Sequence, residues 1–191
     1  FLSKEYTKEC FPNNIKPFLF YVGARSGYKN FTGFLKAVAS SSRLSKDFNI
    51  VAFGGGKFLA NELEIIRTLG FSELQVQQVG GNDSLLGSYY TAAHAFINPS
   101  LYEGFGITPL EAMAHDCPVI SSNTSSMPEV IGEAGEYFDP SNIDDIRWAI
   151  ENVVYSETRI DELIGLGEKK LCKFSWAKTS EETLDVYQSL L

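Results

Sequence analysis

Two kinds of hydrophobic pattern alternate along this chain. Short continuous apolar runs recur at Phe18–Val22, Asn49–Phe53, 95–97 and 118–121, each closed by glycine or a polar turn. Runs of this length and closure are the pattern of strands buried on both faces. A weaker run at 74–79 and the triplet Glu136-Tyr137-Phe138 bring the expected strands to six. Between them the period changes to that of amphipathic helices. Phe31, Phe34, Leu35, Val38 and Ala39 share one helical face, and so do Leu59, Leu63 and Ile66. Ile146, Ala149, Ile150, Val153 and Val154 share another. Further helices are expected over about 83–93, between the fourth and fifth strands, and twice from 157 onward.

Strands alternating with helices predict an α/β fold, a Rossmann-like doubly wound parallel sheet with helices on both faces and a helical C-terminus. Ligands of such sheets bind at the carboxyl ends of the strands, near the point where strand order reverses. Function is therefore expected in the loops 23–29, 54–57, 79–83 and 98–108. Residues 1–17, polar and holding Pro12 and Pro17, read as a lead-in or interdomain linker.

Composition narrows the class. The chain has 191 residues, 44% hydrophobic and 21% charged, which fits one globular domain. No apolar run approaches the ~18 residues that cross a bilayer, so this segment is not expected to insert in a membrane. The first residue is Phe1, with no leader pattern after it, which suggests a piece of something larger. A formal charge of −8 argues against nucleic acid and against a membrane surface as partners. An anionic ligand would need a local positive site. Cys10, Cys117 and Cys172 are odd in number and far apart, which fits reduced thiols in the cytoplasm, each read as a small buried hydrophobe.

The most informative stretch runs Pro99-Ser100-Leu101-Tyr102-Glu103-Gly104-Phe105-Gly106-Ile107-Thr108-Pro109-Leu110-Glu111-Ala112-Met113-Ala114. It starts where a strand ends and finishes inside a helix. Gly104 and Gly106 permit a tight turn and close approach of a ligand to backbone amides. Thr108 is a candidate cap with Pro109 in the first helical position, and the free amides of that helix start suit phosphate. Glu103 and Glu111 flank the turn, and a carboxylate accepts hydrogen bonds from a pair of sugar hydroxyls. The plainer alternatives are a capping box from Thr108 to Glu111 and a solvated loop residue at Glu103. Arg25 and Lys29 follow the first strand and are either a phosphate-binding pair or two solvated cations.

This string, with E-G-F-G at the front and L-E-A-M-A at the back, resembles the signature of the retaining family-four glycosyltransferases of the two-domain GT-B architecture. The segment C-P-V-I-S-S-N-T-S-S-M-P-E-V-I-G at 117–132 is similar to the same family, as are Tyr21-Val22-Gly23 and Phe174-Ser175-Trp176. The resemblance covers nearly the whole chain and implies its organisation. Residues 18–174 would be the C-terminal, nucleotide-sugar-binding domain, and 175–191 a helix crossing back to an N-terminal acceptor domain absent from this sequence. It implies transfer of a hexose from a UDP- or GDP-sugar to a hydroxyl of a glycan or lipid-linked acceptor, with no cofactor and no metal. It also implies roles for individual residues. Glu111 would hold the ribose, and Glu103 would lie against the donor sugar as the catalytic group. Phe105, Gly106, Ile107 and Thr108 would meet the sugar and diphosphate through their amides. Arg25 and Lys29 would neutralise the diphosphate, and Val79 and Gly80 would pass the base.

Departures and alternatives belong beside the resemblance. Family members commonly have Gly-Arg adjacent, whereas Ala24 intervenes here, so Lys29 is the firmer assignment. Leu85 and Tyr90 read as ordinary core. His94 stands where the family has Asp and reads as an edge residue with one hydrogen bond, and His115 as a helix-end residue. Asp116 replaces a glycine and must tolerate a left-handed backbone. Gly54-Gly55-Gly56 lacks the spacing of a dinucleotide fingerprint. An epimerase on the same fold, or a donor-binding module without catalysis, would share the diphosphate site. Donor consumption with and without acceptor separates these three.

Overall fold

The computed structural model describes residues 16–72 and 74–190. Most of the expected lead-in, with Cys10 and Pro12, lies outside the described residues. Six strands form one parallel sheet: β1 Phe18–Val22, β2 Asn49–Phe53, β3 Val76–Val79, β4 Ala95–Asn98, β5 Val119–Ser122 and β6 Gly135–Phe138. Their order is β3-β2-β1-β4-β5-β6. The chain steps outward from β1 to β3, returns to the middle for β4 and steps out the other way. The switch point lies between β1 and β4, and the loops after these two strands face each other there.

Alternation within each strand divides the core in two. Leu19 and Tyr21 of β1, Ile50 and Ala52 of β2 and Ile97 of β4 point to one face. There they meet α1 (Phe31–Ser40), α2 (Ser42–Asp47), α3 (Ala60–Thr68) and α7 (Ile143–Val154). Phe18, Phe20, Val51, Phe53, Phe96 and Val119 point to the other face. There they meet α4 (Asp83–Ala92), α5 (Ile107–Ala114) and α6 (Met127–Ile131). Residues of the inner strands β1, β2, β4 and β5 are buried almost throughout, whichever side they face, which is why these strands read as apolar runs, whereas the edge strand β3 exposes Gln77. The second face is rich in rings: Tyr90 meets Phe20 edge-on at 5.1 Å and Phe96 at 5.6 Å.

Two helices complete the chain. Helix α8 (Glu157–Leu171) packs Leu163 into one core and Leu166 against the other. Helix α9 (Trp176–Ser189) buries no residue, and Trp176, Val186 and Tyr187 are exposed as expected. The short helices α2 and α6 and the 3-10 turn Gly27–Lys29 were not expected; they are too brief to show a period.

Several local expectations are settled here. His94 Nε2 lies 3.0 Å from the Val154 carbonyl, and His115 caps the end of α5. Asp116 takes φ 55°, the left-handed conformation its place after α5 requires. Cys117 is buried, but Cys172 is exposed, so the reading of each cysteine as a buried hydrophobe is corrected for Cys172. It sits just past the last turn of α8, beyond the packed face.

Candidate functional site

The loops after β1, β4 and β5 converge on Glu103. Lys29 closes the 3-10 turn after β1, and Asn30 behind it takes φ 51° to start α1. The Leu101 amide donates to the Tyr28 carbonyl at 2.7 Å and ties the β4 loop to this turn. Lys29 Nζ then lies 2.7 Å from Glu103 Oε1. Ser100 Oγ donates to the same oxygen at 2.7 Å. The Glu103 backbone is held as firmly. Its amide donates to Ser125 Oγ at 2.8 Å, and Ser126 Oγ donates to its carbonyl at 3.0 Å and to that of Phe105 at 3.1 Å. Glu103 is therefore a fixed carboxylate, not a solvated loop residue, with its side chain 13% exposed. Both anchors fall on Oε1, and neither engages Oε2.

Helix α5 begins differently from the sequence expectation. Gly106, with φ 89°, is the cap; Ile107 is the first helical residue, Thr108 the second and Pro109 the third. Thr108 is not the cap, and Pro109 is not in first position. The proline is tolerated because amides of the first turn have no partner inside the helix. Gly106 is favoured by its left-handed backbone, and a Cβ there would also press on the methyl end of the Met127 side chain. The amides of Ile107 and Thr108 remain at the positive end of the helix dipole, in reach of an anion. The side chains of Phe105 and Ile107 are exposed, with Phe105 edge-on to Phe174 at 6.0 Å. With Leu110, Trp176 and Thr179 they line an apolar groove of 350 Å³.

Glu111 lies one turn into α5 and forms no capping box, because the cap is a glycine without a side chain. Its Oε2 is 3.2 Å from the buried hydroxyl of Tyr90. Burial pushes its carboxyl above the usual carboxylate range and Asp83 adds to this, while Tyr90 and His115 oppose the rise.

Arg25 does not join Lys29. Its side chain is 3% exposed and turns toward the loop after β2. Nε donates to Glu62 Oε1 at 2.8 Å, Nη1 to the Gly54 carbonyl at 2.9 Å, and Nη2 to those of Gly56 and Lys57 at 3.0 and 3.1 Å. The guanidinium also sits 4.8 Å from the centre of the Phe58 ring. With its donors spent on Glu62 and a row of carbonyls, Arg25 is a clamp on the glycine turn, and the expected basic pair reduces to Lys29. Gly54, Gly55 and Gly56 all have φ between 67° and 84°, so three successive carbonyls can curl around one cation.

Val79 and Gly80 sit where expected, at the end of β3 beside that turn. The Val79 carbonyl already accepts from the Gly54 amide and from Gln78 Nε2, both at 2.8 Å. That leaves the backbone of the exposed Gly80 for a ligand. Sequence reasoning missed the hydroxyl groups that hold the site: Ser100, Ser125, Ser126 and Tyr90. The run of hydroxyl residues after β5, at the sheet's carboxyl end, was the available signal. Among the described residues no three His, Cys, Asp or Glu side chains are grouped as metal ligands.

Both the sequence and the fold of this chain have known counterparts. A family model described as "Glycosyl transferases group 1" matches residues 4–169. The chain belongs to that family. Two group 1 relatives are mannosyltransferases of Escherichia coli. The serotype-specific enzyme WbdA is 36% identical over 130 residues, covering 68% of this chain and 16% of its own length. O-antigen chain mannosyltransferase B is 37% identical over 108 residues, covering 56% of this chain and 28% of its own. The fold matches a sucrose-phosphate synthase from Thermosynechococcus elongatus with a TM-score of 0.80 at 23% identity, over 96% of this chain and 47% of that one. The chain thus spans a minor part of the two mannosyltransferases and about half of the synthase.

Proposed function

We propose that this chain is the donor-binding half of a retaining hexosyltransferase that works without a metal. The donor is a UDP- or GDP-sugar, and mannose is the sugar named by both relatives. The acceptor is a hydroxyl of a glycan or lipid-linked glycan, met by an N-terminal domain beyond this chain. Helix α9, with its exposed Trp176, Val186 and Tyr187, crosses to that domain. The whole enzyme works in the cytoplasm or at the cytoplasmic membrane face. No helix among the described residues is long and apolar enough to cross a membrane.

The observation that carries this reading is the hold on Glu103, with Lys29 and Ser100 both on Oε1. A carboxylate so fixed keeps Oε2 directed at a sugar hydroxyl without rearranging as charge develops at the anomeric carbon. The departing diphosphate gains negative charge in the same step. Lys29 and the amides of Phe105, Gly106, Ile107 and Thr108 stabilise it in place of a metal ion. Glu111 holds the ribose hydroxyls, and the Gly80 backbone, next to Val79, passes the base.

Calorimetric titration with UDP and GDP in EDTA tests the binding half of this reading. One of the two is expected to bind without metal, and binding only with magnesium or manganese overturns metal independence. Donor consumption by the full-length protein tests the rest. Turnover that requires acceptor supports transfer, turnover without acceptor supports an epimerase, and binding without turnover supports a regulatory module. This chain alone is expected to bind donor and transfer nothing, since the acceptor half of the cleft is lacking.

A further inference from the structure

Tyr90 lies in the ring cluster under the sheet and reads from sequence as core. Its ring is fully buried and packs edge-on against Phe20 and Phe96. Packing accounts for the ring but not for the hydroxyl. That group projects from α4 to the first turn of α5, 3.2 Å from Glu111 Oε2 and 3.3 Å from the Thr108 carbonyl. A phenol has one proton to give, and the carboxylate is the stronger acceptor of the two. Phenylalanine would fill the same space without placing a polar atom in a buried layer, and a buried polar group is costly unless partnered. The hydroxyl is explained by its partner.

We propose that Tyr90 is the positioning residue for Glu111: its hydroxyl fixes Oε2 so that Oε1 is presented to the ribose of the donor. This rests on the reading of Glu111 as the ribose-holding group. Two features of the surroundings fit. The Tyr90 phenol is held far above its ordinary range by burial and by the Glu111 carboxylate, so it stays a neutral donor at every working pH. The Glu111 carboxyl is itself raised by burial, and the Tyr90 hydrogen bond works against that rise; Asp83 adds to the rise and His115 opposes it. Losing the hydroxyl therefore loosens the carboxylate and favours its protonation. Either change removes an acceptor from the ribose while leaving the diphosphate contacts intact.

The test is calorimetric titration of the full-length protein with GDP or UDP, whichever the unaltered protein binds, and with its 2′,3′-dideoxy analogue. Tyr90→Phe keeps the ring and removes only the hydroxyl. It is expected to weaken the diphosphate about tenfold, in line with the loss of one charge-assisted hydrogen bond, and to leave the dideoxy analogue unchanged. The affinity of Tyr90→Phe is also expected to fall off at higher pH on the acid side than that of the unaltered protein. In a Glu111→Gln background the same substitution is expected to cost much less, because its partner charge is gone. Equal weakening of both ligands by Tyr90→Phe would show a packing role and overturn the proposal. So would full affinity in Tyr90→Phe when Glu111→Gln binds poorly, and the reading of Glu111 would then stand. Full affinity in Glu111→Gln would instead overturn that reading and the proposal with it. A thermal melt of each variant separates loss of fold from loss of contact.

Discussion

Lys29 Nζ and Glu103 Oε1 lie 2.7 Å apart although 74 residues separate them in sequence. The contact joins the two loops on either side of the switch point and puts the site's cation on its principal carboxylate. A donor diphosphate entering beside Lys29 would share that cation with Glu103. The substitutions of Glu103 and Lys29 below follow from this sharing.

Glu103→Gln keeps size and removes charge. In the full-length enzyme kcat is expected to fall by roughly 10²–10³, as for other groups that stabilise developing charge, while UDP or GDP affinity changes little. Glu111→Gln is expected to do the reverse, raising KM with kcat nearly kept, because the ribose contact exists equally in ground and transition states. Steady-state kinetics with parallel titration measures both. Nucleotide affinity lost as badly in Glu103→Gln as in Glu111→Gln would reverse the assignments.

Lys29→Ala is expected to weaken the nucleoside diphosphate by roughly 1.5–3 kcal/mol and the bare nucleoside hardly at all. Titration with each ligand makes the comparison. Equal losses would mean that Lys29 serves only to hold Glu103.

Ser100→Ala removes one of the two anchors on Oε1 and no ligand contact. The expected result is a kcat lowered by about tenfold with unchanged nucleotide affinity, since a loosened carboxylate still binds but is less well placed. Kinetics beside those of Glu103→Gln gives the check. Ser100→Ala in a Glu103→Gln background is expected to add little; full additivity would show that Ser100 acts elsewhere.

Arg25→Met breaks a partly buried pair, leaving Glu62 with the Leu59 amide and several carbonyls without the guanidinium. A loss of about 1.5–3 kcal/mol in stability is expected, seen as a fall in Tm of roughly 5–10 °C. Gly55→Ala is expected to destabilise by the same route, because its Cβ would stand 2.6 Å from Arg25 Nη1 on a left-handed backbone. Burial raises the Glu62 carboxyl, but the Arg25 hydrogen bond and the Leu59 amide outweigh it, so the net position is below the ordinary range. A carboxyl lowered by folding stabilises above its unfolded pKa, about 4.3, and that stability is lost as pH falls through the folded value. Melts of the wild type and Glu62→Gln from pH 7 downward are expected to diverge most near neutrality and to converge in acid. A constant gap would show that the carboxylate charge is not what matters.

The centre of the sheet was legible because its strands are buried on both sides and leave apolar runs, as at Phe18–Val22, whereas the edge strand β3, with Gln77 exposed, left only a weak one. Helices α1 and α7 were legible because their inward faces repeat over several turns. Helix α6 was not, since Met127–Ile131 is shorter than two turns. Glu103, Glu111 and Lys29 were legible through family resemblance, and the structure brings Glu103 and Lys29 together. What sequence hid was direction. Nothing in the letters of Gly23-Ala24-Arg25 tells that the guanidinium turns onto the loop after β2, where a glycine turn and Glu62 on α3 await it. Nor does a tyrosine in an apolar stretch tell where its hydroxyl points. Both outcomes depend on neighbours from other parts of the chain.

The order β3-β2-β1-β4-β5-β6 has one more consequence. Glu103 is held from the loops after β1, β4 and β5, whereas Glu111 is braced from α4, which leaves the opposite edge strand β3. The two carboxylates, proposed to meet the sugar and the nucleoside, are therefore braced from separate stretches of chain. On that proposal, changes confined to 76–92 would alter the brace on Glu111 while the hold on Glu103 stays as it is, and changes in 119–126 would reshape the surroundings of Glu103 without disturbing Glu111. A scaffold so divided would acquire new donors in independent steps.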